Sequence, residues 1–251
     1  MTAMPAPDNV ALTCLEVPMS QPVVDPNRPL ASWTPRPRPE RRVFTGRHVR
    51  LEPLDVAHAP ALHAAFSADT TGALWDWMSV GPFADAAAYA AWVGLASQGA
   101  DPLFFTVFDL DQPDAPAVGI MSLMRIDSGN GVVEVGSITF APALQRRRAA
   151  TEAQYLLMRH AFDDLGYRRY EWKCNALNAP SRAAALRLGF QYEGLFRNHM
   201  VIKGKNRDTT WFAITAEDWP AVRAGFETWL APDNFDDDGN QKKGLAACRL
   251  S

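Results

Sequence analysis

The residues best suited to chemistry lie in one stretch, Ser137-Ile-Thr-Phe-Ala-Pro-Ala-Leu-Gln-Arg-Arg-Arg-Ala-Ala-Thr-Glu-Ala153. An apolar strand pattern ends at Phe140, a short loop turns, and a helical pattern begins. A helix start leaves N–H groups without intrahelical partners and carries the positive end of the dipole. Ala149 and Ala150 are small enough for a ligand to approach that backbone, and Arg146, Arg147 and Arg148 add positive charge. Together they could cradle a pyrophosphate. They could equally form a solvated basic cap on a helix–sheet junction. Downstream, Asn178 can cap a short helix whose first turn holds Pro180. Upstream, Glu134 in Val132-Val-Glu-Val-Gly136 could accept a proton, or could lie on a solvated face between Val133 and Val135. Glu171 is a weaker candidate base, and Glu152 suits the helix dipole.

The elements that must position these groups follow from periodicity. Alternation predicts a strand from Val43 to Leu54. Asp55 can cap a helix running to about Ser67, and a second helix is expected from Asp85 to Ser97. Strands are expected at Leu103–Leu110, Ala117–Ile126 and Gly131–Phe140, then a helix at Thr151–Leu165. A strand at Arg168–Asn175, a helix at Ala179–Leu188 stopped by Gly189, and strands around Phe190–Ile202 and Asp208–Thr215 complete the order. Lys203-Gly204-Lys205-Asn206 has hairpin chemistry. This is a mixed α/β order, and the strand–helix–strand crossover makes strands 131–140 and 169–175 parallel neighbours. Residues 1–40 hold nine of the 19 prolines and read as an extended arm, with Trp33 as an anchor, or as a loose tail. Residues 41–230 form the main domain, and 231–251 read as a solvated tail or a loose wrap.

The central stretch resembles the coenzyme A loop of the GCN5-related N-acetyltransferases, with pattern Gln/Arg-x-x-Gly-x-Gly/Ala. Gln145 and Ala150 match its ends, and Arg148 replaces the middle glycine. Ala150-Thr-Glu-Ala153 is similar to the helix opening of the RimJ/RimL-type branch. Asn178-Ala-Pro-Ser181 followed by Leu186-Arg-Leu-Gly-Phe190 resembles the same branch's Asn-x-x-Ser…Gly-Phe block. The resemblance covers about residues 43–220. It implies a mixed, mostly antiparallel twisted sheet flanked by helices, with a splayed parallel pair that pantetheine enters like a missing strand. It also implies acetyl-CoA as co-substrate and direct attack of a primary amine on the thioester in a ternary complex. Thr139 and Phe140 would pair with pantetheine through their backbones, and residues 145–151 would hold the pyrophosphate. Asn178 would meet the pantetheine arm, Ser181 the sulfur, and Glu134 would serve as general base. Arg148 in place of glycine favours, as the alternative, a non-catalytic acyl-CoA-binding module.

The acceptor would sit between the first two helices and the late hairpin, with Trp75, Trp77, Phe105, Trp172 and His199 as candidate walls; for each aromatic, core packing is the simpler reading. Candidate acceptors are a small-molecule amine or a peptide N-terminus. A net charge of -3 gives no general drive toward nucleic acid or anionic membrane. No apolar stretch is long enough to span a bilayer. Cys14, Cys174 and Cys248 are too scattered for a disulfide framework or a metal pair, so a reducing, cytoplasmic setting and no metal are expected. A monomer and a homodimer both fit the sequence.

Overall fold

Among the described residues, eight strands form one sheet in the order β1-β2-β3-β4-β5-β6-β8-β7. The computed structural model describes residues 25, 27–237 and 239–249. The chain divides into two units, Met1–Trp33 and Thr34–Ser251. In the first, the described residues make short turns, with Arg28 N donating to Asp25 O and Trp33 N to Leu30 O. The expected arm over residues 1–24 lies outside the described residues.

The second unit begins with an extended segment tied down by long-range bonds. Arg36 N donates to Ser128 O, and Tyr167 Oη donates to Pro37 O at 3.0 Å. The strand expected at 43–54 is instead two, β1 (Phe44–Thr45) and β2 (Val49–Pro53), which pair antiparallel around a turn at Gly46. Alternation alone cannot show that turn. The turn is held by Glu152, which accepts from Arg47 N at 2.9 Å and His48 N at 2.6 Å. A Cβ at position 46 would lie 2.4 Å from the Glu152 carboxyl carbon, so only glycine lets the turn come this close. Glu152 therefore closes a tertiary contact rather than only complementing a dipole. Glu152→Ala leaves two N–H groups without their acceptor and is expected to cost about 3 kcal/mol, read from the urea midpoint.

The next elements are α1 (Ala59–Phe66), α2 (Ala86–Ala96), β3 (Leu103–Asp109), β4 (Ala117–Asp127), β5 (Val132–Phe140) and α3 (Arg148–Arg159). The Asp55 carboxylate accepts from Ala57 N ahead of α1, and that of Asp85 accepts from Ala88 N at α2. The α3 helix runs on as a single π turn, His160–Asp164. Then follow β6 (Arg169–Asn175), α4 (Ala179–Leu188), β7 (Gln191–Ile202), β8 (Lys205–Thr215), α5 (Trp219–Leu230) and α6 (Leu245–Arg249). Lys203 and Gly204 both have positive φ and turn the β7–β8 hairpin. The crossover is as expected: β5 and β6 are parallel, and their neighbours pair antiparallel.

Register assigns the two faces. Val133, Tyr170 and Ile214 are successive partners across β5, β6 and β8 and are fully buried. Phe162, just past α3, packs on Tyr170 and on Trp219 of α5, so α3 and α5 cover this face. Phe104, Ser122 and Gly136 are partners on the other face, where Trp92 of α2 packs on Phe104. Glu134, two residues from Gly136, shares that second face.

The α5 helix extends the order expected from sequence. Beyond it the chain wraps back rather than running free: Leu245 and Cys248 are buried, and Phe235 pairs with Gln241.

Candidate functional site

Pairing between β5 and β6 starts at Val132 with Arg169 and stops at Val135 with Trp172. Past that point β5 bulges against β4, where the register shifts between Ser122–Gly136 and Ile120–Thr139. Ser137 sits in the bulge at φ 49°. An extra residue bends a strand and adds twist, so the parallel pair parts. Gly119 permits the close approach here, since a Cβ on it would meet Phe140 at 2.8 Å.

A cleft of about 1210 Å³ enters the gap. Ile138, Thr139 and Phe140 line it from β5 and Trp172 from β6. The α3 start contributes Arg147, Arg148, Ala150, Thr151 and Gln154, and α4 contributes Asn178, Ser181 and Arg187. Gln145, Arg146 and Trp77 also line it. The helix is capped by extended Arg147 with no side-chain cap bond, so its first N–H groups face the cleft without intrahelical partners. Thr139 Oγ1 and Gln154 Oε1 are buried there without a hydrogen-bond partner among the described residues. Buried polar atoms are ordinarily paired, so these two suit a bound polar ligand.

The loop residues divide their work. Gln145 Nε2 donates to Phe140 O at 3.0 Å and closes the turn. Arg146 takes φ 62°. Arg148, which stands where the family pattern has glycine, points its guanidinium to Asp111 at 2.7 Å and over the Phe235 ring. Asp111 also bonds His48 Nδ1. Burial raises the Asp111 carboxyl, but bonds from Arg148 and His48 outweigh it and hold it below its ordinary value. Ala149 does not line the cleft: with Ala153 it is fully buried in the core, because helical spacing turns that stripe toward the sheet.

At the α4 start, Asn178 Oδ1 accepts from Ser181 N and caps the helix. Trp172 Nε1 donates to Ser181 Oγ at 3.0 Å. The serine oxygen is thereby used as an acceptor, and its own proton is free to point elsewhere.

Trp75, Phe105, Glu134 and His199, all expected at the site, lie elsewhere. Trp75 is core, packed against Phe66 and Phe83. Phe105 is fully buried against Phe44 on the α3 face, because its register partners Pro53 and Met121 set its side. Glu134 is outside the cleft lining and buried in an ion-pair network. Arg125 Nη1 lies 2.7 Å from both its oxygens, and Lys173 Nζ lies 2.9 Å from one. Lys173 also binds Glu171 at 2.7 Å, and Arg169 joins Glu171 to Glu193. Glu134 is thus not an unengaged base. His199 is on the exposed outer strand, bonded to Thr209 Oγ1 and packed on Phe196 and Trp211.

Sequence reading missed several lining residues, two groups of which bear on ligand binding. One is Arg187, whose Nη2 donates to Thr151 Oγ1 at 2.8 Å. Burial, and after it the charge of Arg249, pulls its guanidinium below the ordinary value. The other is Trp229, at the end of α5, with Phe235 and Gly239–Gln241 of the C-terminal wrap. The spacing of Trp219, Val222, Phe226 and Trp229 carried a helical signal for α5; the wrap carried none.

On the second face, a separate apolar pocket of about 410 Å³ is lined by Met78, Trp92, Phe104, Ile120, Met124 and Ser137. Ser137 in this pocket and Ile138 in the cleft are adjacent in the chain, so the two meet at the bulge. The hairpin reaches toward this side: Lys203 Nζ donates to Trp75 O at 2.8 Å. Among the described residues, no group of three or more His, Cys, Asp or Glu could hold a metal ion, and no helix is long and apolar enough to cross a membrane.

Comparisons with known proteins agree with this geometry. Residues 48–191 match the profile described as an acetyltransferase (GNAT) domain. A GCN5-related N-acetyltransferase structure from Brucella melitensis is 50% identical, covering 88% of this chain and 100% of that one, with TM-score 0.86. A GNAT-family protein of Chromobacterium violaceum is 38% identical over 80% of this chain and 100% of that one, with TM-score 0.72. YdaF, a candidate ribosomal N-acetyltransferase of Bacillus subtilis (strain 168), is 27% identical over 42% of this chain; the match spans only 57% of YdaF's length. With the parted strands, the uncapped α3 start and these matches together, the chain belongs to the GNAT acetyltransferase family.

Proposed function

We propose that this protein transfers acetyl from acetyl-CoA to a primary amine, on a small molecule or a peptide N-terminus, by direct attack in a ternary complex. The parting of β5 from β6 supports this most. Among the described residues the β6-facing edge of β5 has no strand partner beyond Val135, and an open edge is a template for an extended chain. Pantetheine has amide groups that could pair with it near Thr139 and Phe140. The phosphates would then meet the α3 start.

The chain's own residues would act mainly by positioning. The amine would approach from the apolar pocket at Ser137, while the thioester lies in the cleft at Ile138 and Thr139. A backbone N–H of the bulge would polarise the thioester carbonyl. Ser181, its oxygen already accepting from Trp172, would direct its proton to the departing sulfur. The amine would lose its proton to water, since the oxygens of Glu134 are held by Arg125 and Lys173.

The test is thiol release from acetyl-CoA across a panel of amines and N-terminal peptides, with the product checked for one added acetyl group. Ser181→Ala is expected to lower kcat about 10-fold with KM for acetyl-CoA little changed. Full activity would reduce Ser181 to a helix residue. The engagement of Glu134 favours a second reading, a non-catalytic acyl-CoA-binding module. Tight acetyl-CoA binding with no thiol release for any amine would select it.

A further inference from the structure

The family match stops at residue 191, yet the cleft continues onto the C-terminal wrap. Phe235 lies against Arg148, the first residue of α3, and Gly239 lies beside the same guanidinium. Ser181 and Thr139 mark the thioester end, and the α3 start marks the phosphates. In coenzyme A the adenosine follows the pyrophosphate, and the wrap is the part of the cleft lining next to that helix start.

We infer that the C-terminal wrap is the binding wall for the adenosine end of coenzyme A, with Phe235, backed by the buried Trp229 of α5, as its apolar surface and Asn240 and Gln241 as its hydrogen-bonding rim. The inference rests on the reading that the cleft takes acetyl-CoA. The amide groups are already sorted. Trp229 Nε1 donates to Gln241 Oε1 at 2.7 Å, which leaves the Gln241 amide nitrogen as a donor. Asn240 Nδ2 donates to Asp236 at 3.3 Å, which leaves its oxygen as an acceptor. Adenine presents an amino donor beside ring-nitrogen acceptors, the pattern that Asn and Gln amides match, and its faces suit aromatic surroundings. The wrap is fixed in place: Asn234 Nδ2 donates to Trp229 O and Lys243 O, and Arg249 donates to the last carbonyls of α4.

Calorimetric titration with coenzyme A and with 4′-phosphopantetheine tests this. The wild-type protein is expected to bind coenzyme A about 10-fold tighter than 4′-phosphopantetheine. Asn240 is exposed, so Asn240→Trp should fold, as thermal unfolding will show, and fill the adenosine end. It is expected to weaken coenzyme A about 10-fold and to leave 4′-phosphopantetheine within about 2-fold. Asn240→Ala should show the same selectivity with about a 3-fold loss. Unchanged coenzyme A affinity in both variants, or equal loss for both ligands, would overturn the inference. So would equal wild-type affinity for the two ligands, which leaves the cleft assignment standing. Binding of neither ligand would overturn the cleft assignment and the inference with it.

Discussion

Arg187→Ala is expected to weaken acetyl-CoA binding by about 10- to 100-fold, the range for a lost charge-assisted hydrogen bond, without lowering stability. Arg187 lines the cleft beside the α3 start, and its bond to Thr151 Oγ1 aims it at the place where phosphates would lie. Among the described residues no carboxylate pairs with it. Its charge is costly in the free protein, because burial and the nearby Arg249 both oppose the charged form. Removing it relieves that cost and loses some packing of the side-chain stem. The net change in stability should lie within about 1 kcal/mol and tend upward. Titration with acetyl-CoA and thermal unfolding of the same samples read the two quantities separately. Unchanged affinity would deny Arg187 a phosphate contact. Affinity and stability falling together would make it a structural support.

Glu134→Gln is expected to do the reverse: about 3 kcal/mol of lost stability, with kcat changed by less than about 3-fold and the pH–rate profile unmoved. Glu134 is 3% exposed and neutralises Arg125 and the nearly buried Lys173. Taking its charge away leaves Lys173 with Glu171 alone. A large fall in kcat with a displaced pH limb would instead restore Glu134 as the base. The network also sets an acid limit. Burial raises the Glu171 carboxyl, but bonds from Lys173 and Arg169 outweigh it and hold it below its ordinary 4.5. As pH falls below that value the unfolded chain takes up the proton first. The Glu171 contribution is therefore complete at neutral pH and is lost as pH drops through its depressed folded value. Lys173→Met should flatten that acid limb in urea titrations.

Much of the scaffold was legible because it is periodic. The crossover of β5, α3 and β6 rests on apolar spacing and on the handedness of such connections. Asp55, Asp85 and Asn178 signalled helix starts through local capping chemistry. The loop from Gln145 to Thr151 and the Asn178–Ser181 pair were legible as motifs, and the structure brings all of them except the Ala149 side chain to one cleft. The turn at Gly46 was not legible, because what makes glycine necessary there is Glu152, more than a hundred residues away in the chain.

What the sequence by itself determined is the order of elements from α1 to β8, the basic helix start and the two motifs that resemble the family's. These depend on neighbours within a turn or two. The tertiary structure alone decided which charges remain available. It tied Arg148 to Asp111, locked Glu134 between Arg125 and Lys173, and left Arg187 in the cleft unpaired with any carboxylate among the described residues. It also brought the C-terminal wrap to the α3 start. The physical reason is that a charge is neutralised by whatever the fold places within about 4 Å of it, and that separation is not encoded in spacing along the chain.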